Sequence, residues 1–242
     1  MSRAARAVAL TALCAVLGTS CGSEEQLPSI RLGAGQPGTA APEPGEIVLR
    51  FVQAARRGDA EQMWALLSEP TRRSIGPGVA SFARGTAPDL ITSFEDFRDG
   101  RILLSRRLDD VWAVGAITGR DEPEDEDPEP AAYAAALRRE GATWRIELYG
   151  LVIARLRPEP LGTTGGQPEV RAEAQAGDEV ERMLLWLDGG AARIPYARTS
   201  AFTAEVRGRP SQPVREGEHA LVVFAATRST AGALAWSFEV ER

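Results

Sequence analysis

TWRIELY, Thr143 to Tyr149, decides how the middle of this 242-residue chain is read. In an extended chain Trp144, Ile146 and Leu148 fall on one face, and Arg145 and Glu147 on the other. That period of two marks a half-buried strand. Three earlier segments carry strand signals as well: RILLSRR from Arg101, VWAVGAIT from Val111 and AAYAAALRR from Ala131. Asp109–Asp110, the acidic run DEPEDEDPE (Asp121–Glu129) and Glu140–Gly141 supply the turns between them. Together they predict an antiparallel meander.

Upstream of the meander the period is helical. After Pro44, the residues Ile47, Phe51 and Ala55 recur four apart, with Val48 and Val52 beside them, and Gly58 supplies a stop. Asp59, with Gln62 three residues on, forms a capping-box pattern for a second helix. Its apolar stripe is Met63, Leu66 and Leu67, and Pro70 is expected to end it. A third helical stretch, Pro88–Phe97, places Leu90, Ile91, Phe94 and Phe97 on one side. Helices followed by an antiparallel meander predict an α+β layout with helices on one sheet face.

FVQAARRGDAEQMWALLSEPTRRS, followed by strands ending in WRIEL, resembles the nuclear-transport-factor-2-like (SnoaL-like) family. The resemblance implies a cone-like α+β domain at residues 45–157, with helices on a curved antiparallel sheet. It implies a pocket between sheet and helices, lined here by Trp64, Phe82, Phe94, Phe97, Trp112, Tyr133 and Trp144. A homodimer through the sheet is a further expectation. An isomerase- or cyclase-like site would need an aspartate base and a tyrosine donor. Asp96, Asp99, Tyr133 and Tyr149 are of the right types, although their spacing singles out none of them.

PEPLGTTGGQP, Pro158–Pro168, reads as a linker by composition. From residue 169 to 242 no helical period appears. EVERMLLWLDGG, AFTAEVRG, HALVVFAATR and ALAWSFEVE read as short strands between turn-formers. Leu234, Trp236, Phe238 and Val240 alternate with polar or small residues, which predicts a β-sandwich. REGEHALVVFAAT and AWSFEV are similar to bacterial immunoglobulin-like domains, and the similarity implies an all-β immunoglobulin-like sandwich. Trp186 and Trp236 are both expected in its core.

The N-terminus points to export. MSRAAR is basic, and AVALTALCAVLG (Ala7–Gly18) is too short for a bilayer, which needs about 20 residues. A basic start, a short apolar run and small residues describe a signal peptide over residues 1–20. Gly18–Gly22, GTSCG, matches G-x-S-x-G, but no strand precedes it and the cut would remove Ser20, so context excludes a nucleophile elbow. Thr19, Ser20 and Cys21 instead resemble the end of a bacterial lipobox. That resemblance implies a diacylglyceryl group on the Cys21 thiol and a membrane partner reached through the lipid. Residues 21–44 would be a lipidated N-terminus and Gly/Pro-rich tether. The expected location is the outer face of the cytoplasmic membrane or elsewhere within the cell envelope.

Composition removes several chemistries. The 28 basic residues are all arginine. Schiff-base lysines, the P-loop lysine and S-x-x-K sites are therefore excluded. One histidine, His219, rules out a multi-histidine metal site, and no motif sets a nucleophile beside it. Cys14 and Cys21 are the two cysteines, so the exported chain has no internal disulfide. A net charge of −6 with no clustered basic face gives no nucleic-acid footprint. The acidic run lacks an internal glycine and is broken by Pro123 and Pro128, unlike a calcium loop. No cofactor is expected. Arg106–Arg107 and Arg138–Arg139 leave a question open. If both pairs lie within strands, one arginine of each faces the sheet side that packs on helices, and there it needs a ligand, an acidic side chain or a strand-end position. The expected function is a non-catalytic binding or adaptor lipoprotein with an envelope protein or small ligand as partner. The alternatives are a small-molecule binder using the cone pocket, or an isomerase-like enzyme.

Overall fold

In the computed structural model, residues 41–124 and 127–242 are described. The expected signal peptide, Cys21 and most of the expected tether lie outside the described residues.

The helical segment contains α1 (Pro44–Arg56), α2 (Ala60–Leu66), α3 (Glu69–Ile75), α4 (Val79–Arg84) and α5 (Thr86–Phe94). The period in α1 buries Ile47, Val48, Phe51, Val52 and Ala55, and Gly58 at φ 67° turns the chain out of it. Asp59 then accepts a hydrogen bond from Gln62 N at 2.9 Å. Only this half of the capping box forms, because the Gln62 side chain accepts from Arg57 instead. Pro70 does not end α2. The chain becomes extended at Leu67, Ser68 caps α3, and Pro70 sits in the first turn of α3. Its missing N–H costs nothing there, because first-turn donors have no intrahelical partner. Helix α5 stops at Phe94, so Phe97 begins a strand and does not close a helix.

Three sheets follow. Sheet I has the order β1 (Phe97–Arg107), β2 (Trp112–Asp121), β3 (Glu129–Glu140), β4 (Thr143–Glu147) and is antiparallel throughout. The chain then runs through β5 (Val152–Arg157), β6 (Thr163–Thr164), β7 (Val170–Gln175), β8 (Arg182–Leu187), β9 (Gly190–Ala191), β10 (Tyr196–Ser200), β11 (Thr203–Gly208), β12 (Gly217–Ala226) and β13 (Ala231–Val240). Sheet II is β10-β11-β7-β5, and sheet III is β6-β13-β12-β8-β9, in which β6 alone runs parallel to its neighbour.

The second unit starts earlier than composition suggests. Val152 and Ile153 pair with Gln175 and Ala174, so β5 belongs to sheet II and not to the helical unit. Nor is Pro158–Pro168 a free linker. Leu161 N donates to Ser237 O at 2.8 Å, Glu239 N to Gly162 O at 3.0 Å, and Thr163–Thr164 forms a strand. Backbone groups that composition assigns to solvent are thus paired along β13.

Three apolar clusters define four layers. The first lies between the helices and one face of sheet I, and joins Phe51, Met63 and Phe82 to Ile117, Leu137, Trp144 and Ile146. The second fills the space between sheets II and III with Ala172, Val206, Leu221, Val223, Trp236 and Phe238. The third joins the units. Leu104, Trp112, Val114, Ala116, Ala134 and Ala136 of sheet I meet Trp186, Val222, Phe224 and Ala235 of sheet III. The layer order is therefore helices, sheet I, sheet III, sheet II. Sheet III covers the open face of sheet I, the face expected to receive a second copy.

Two tryptophans separate on this plan. Both are buried, but only Trp236 lies in the sandwich core, where its indole N–H donates to Pro158 O at 3.0 Å. Trp186 points the other way, into the junction with sheet I. The chain crosses between units at Gly150, where a Cβ would stand 1.9 Å from Ala231 O. Any larger residue there would force the crossing strand off the β12–β13 turn.

Candidate functional site

The expected cone pocket is filled. Trp64, Phe82, Phe94, Phe97, Tyr133 and Trp144 do converge on the cluster between helices and sheet I. Trp64 lies 5.7 Å from Phe82, and Phe94 packs edge-on against Tyr133 at 4.8 Å. Phe51, Phe82, Met63, Leu67, Ile117 and Ile146 are all fully buried among them. Trp112 is not part of this group. Consecutive strand residues face opposite ways, so Ala113 joins the helix-side cluster while Trp112 turns to the junction. Burial pushes the Tyr133 phenol above its usual range, which keeps it neutral. Of the other residues suited to an acid–base pair, Tyr149 is exposed and shares a 3.2 Å contact with Thr86 Oγ1. Asp99 lies outside the helix-side cluster, in the groove between the units.

The arginine pairs resolve differently. Arg106 and Arg107 are exposed, and Arg107 meets Glu43 at 2.8 Å. Arg139 lies at the strand end, with Asp110 at 3.8 Å. Arg138 faces the junction, and its partner is an acid of the same sheet. Its Nε donates to Glu147 Oε2 and its Nη2 to Oε1, both at 3.2 Å. Nη2 also donates to Ser229 O in the β12–β13 turn. The guanidinium lies over the Trp112 ring, 4.4 Å from its centroid. Glu147 is buried and also accepts from the Ser68 hydroxyl at 2.6 Å. The fork, the ring and the carboxylate form one satisfied cluster tying α3, sheet I and sheet III together.

Two further cross-unit ties ring the apolar junction. Arg120 meets Glu218 at 3.0 Å, and Arg182 meets Asp109 at 2.9 Å. Asp109 also accepts from Val111 N at 2.8 Å and Trp112 N at 2.7 Å. Burial opposes its ionisation, but these two N–H groups and Arg182 outweigh it and hold the carboxyl below its ordinary range. His219 is spoken for on both ring nitrogens, by Asp188 Oδ2 at 2.7 Å and Arg215 O at 2.8 Å. Among the described residues its ring nitrogens meet no hydroxyl or thiol.

Two open clefts lie elsewhere on the surface of the described residues. One, of about 400 Å³, lies beside Ala41, at the start of the described residues, and is lined by Arg107, Asp109, Asp110, Arg139 and Trp144. The other, of about 370 Å³, lies where sheets I and III part, among Asp99, Arg101, Thr118, Arg120, Glu218 and Ser237. Sequence reasoning found neither, because each is made by residues from separate strands or units. Among the described residues no group of three or more His, Cys, Asp or Glu is placed to hold a metal ion. Among those residues, too, no helix is long and apolar enough to cross a membrane.

The arrangement defines a class: a helix-on-sheet unit docked through its open sheet face onto a two-sheet β unit. The chain matches no family model and no curated protein sequence.

Proposed function

We propose that this chain is an exported, lipid-anchored envelope protein whose two docked units serve as a non-catalytic binding or adaptor module. The single observation that carries the reading is the filled interior of the helical unit. Phe51, Met63, Phe82, Ile117, Leu137 and Ile146 occupy the space a cone-type site would use. Recognition then falls to the outer surface, which three cross-unit ties hold in one geometry. We also infer that the helical unit is nuclear-transport-factor-2-like and the second unit immunoglobulin-like. Helices on one face of a four-stranded antiparallel sheet support the first, and two sheets around a shared core support the second. The anchor rests on the basic start, the short apolar run and Cys21.

Two measurements test the reading. Cys21→Ala should release the chain from membranes and abolish labelling by a fatty-acid probe, and undiminished labelling would refute the anchor. Photo-crosslinkers placed at Phe202 and Val152, both exposed apolar positions, should trap discrete heavier species in cells. A chain that stays uncrosslinked from every exposed face would remove the adaptor role.

A further inference from the structure

We propose that the groove between sheets I and III binds a small zwitterion, a molecule carrying a carboxylate and an ammonium group. Grooves between units are preferred ligand positions, and pockets for small molecules start at about 300 Å³. This one, at about 370 Å³, suits an amino acid or a short peptide.

The central observation is Ser237. Its residue is only 5% exposed, on the face of β13 that looks toward sheet I, and it lines the groove. Yet its hydroxyl makes no hydrogen bond among the described residues. Among the described residues the one fully buried side-chain polar atom without a partner is Arg72 Nε, so the Ser237 hydroxyl opens onto the groove and is available there as donor or acceptor to an occupant. Thr118 faces it from β2, also with no side-chain hydrogen bond among the described residues.

The charges then select the occupant. Arg120 is paired with Glu218, and Asp188 with His219 and Ala220 N. Arg101 and Asp99 are left, and neither has a partner among the described residues. Arg101 stands directly beside Thr118 in the β1–β2 register, so the two share a face. Asp99 is held at φ 52°, a strained conformation for a residue with a Cβ, in the irregular stretch of β1 between Arg98 and Arg101. The groove thus offers one free guanidinium fork, one free carboxylate and two free hydroxyls. A carboxylate docks on the Arg101 fork with the hydroxyls of Thr118 and Ser237 as added donors. An ammonium, with three donors and no acceptor, meets Asp99. This site is separate from the filled interior and from any adaptor surface, and it stands or falls independently of both.

Titration of the full-length chain with glycine and glycylglycine, followed by saturation-transfer NMR, tests the assignment. Acetate and methylammonium serve as single-charge probes. Saturable binding of a zwitterion tighter than about 1 mM is expected, with each single-charge probe at least about tenfold weaker. Arg101→Gln and Asp99→Asn should each weaken binding about tenfold or more, and Ser237→Ala several-fold. Arg209→Gln, a cation outside the groove, should leave it unchanged. No saturable binding would show that ordered water alone fills the groove and would overturn the proposal. Equal binding of acetate and glycine, or indifference to Arg101→Gln and Asp99→Asn, would overturn it too.

Discussion

The two faces of sheet I are packed by different means. Toward the helices the sheet presents Phe97, Ile117, Leu137, Trp144 and Ile146, large side chains that fill gaps between tilted cylinders. Toward sheet III it presents mainly small residues, Val114, Ala116, Ala134 and Ala136, with two larger ones, Leu104 and Trp112. Small residues suit a sheet-on-sheet contact, where two nearly flat surfaces approach to about 10 Å. The bulk on that side comes from the partner, as Trp186, Val222 and Phe224. The helix-side face completes one unit, and the alanine face is what makes the two units one body.

The most severe way to break this comparison is to charge the alanine face. Ala136 is fully buried between sheets I and III. Ala136→Asp would bury a carboxylate with no counter-ion, and an uncompensated buried charge costs about 3–5 kcal/mol. A fold of this size is stable by about 5–15 kcal/mol in total. The expected outcome is loss of both units together, seen as simultaneous loss of the helical and aromatic circular dichroism signals. Survival of a sandwich transition at its original temperature would show that the units fold separately.

Trp236→Ala tests the same point from the sandwich core. Losing a buried tryptophan costs about 3–5 kcal/mol, and for a chain of this length each 1 kcal/mol lowers Tm by about 2–4 °C. With a shared junction, the helical unit should melt earlier as well. Trp186→Ala should cost a similar amount from the junction side. Calorimetry showing two separated transitions in either variant would contradict a common core.

Much of this was legible in the sequence, and one misreading is instructive. The alternation in TWRIELY marked a strand correctly: in β4 Trp144 and Ile146 are buried on one face, and Thr143, Arg145 and Glu147 make up the other. The helical stripe of α1 was equally plain. What escaped notice was the meaning of runs that do not alternate. Trp112–Ile117 and Ala220–Ala226 are buried at every position, as are Ala134–Leu137. A continuous apolar run is the mark of a strand covered on both faces. VWAVGAI and ALVVFAA carried that message, and the alternation read into their neighbours hid it. Trp186 was assigned to the wrong core for this reason. β5 and β6 were missed on different grounds. VIARLR and GTTG have weak patterns of their own and are held by pairing to β7 and β13. The groove at Ser237 was beyond reach, since it joins residues more than a hundred positions apart.

The polar cluster at Arg138 sharpens the comparison at a single point. Arg138→Met would leave the Glu147 carboxylate buried with the Ser68 hydroxyl as its remaining side-chain donor. Breaking one side of a buried pair costs about 3 kcal/mol or more. Adding Glu147→Leu should recover most of that loss, because two apolar groups need no counter-charge. Chemical denaturation of the two single variants and the double variant measures the coupling. A double variant no more stable than Arg138→Met would mean that the cost lies in the lost contact with Ser229 or Trp112, and not in the orphaned carboxylate.

The smallest expected effect concerns the rim. Asp109 joins the β1–β2 turn to Arg182 of sheet III, and its carboxyl is held below the ordinary value of 3.8. A carboxyl depressed in the folded state adds stability that is fully present above its unfolded value, near pH 4, and is lost as the pH falls through the lower folded value. The side chain is about one-third exposed, so solvent screening limits the contribution to under about 1 kcal/mol. Asp109→Asn keeps an acceptor for Val111 N and Trp112 N but removes the charge that meets Arg182. The variant should therefore be slightly less stable than the parent at pH 7, with the gap closing toward pH 3. Urea denaturation of both proteins at the two pH values measures it. An unchanged gap at pH 3 would mean that the carboxyl serves only as a turn acceptor, leaving Arg120–Glu218 and the Arg138 cluster as the polar ties across the junction.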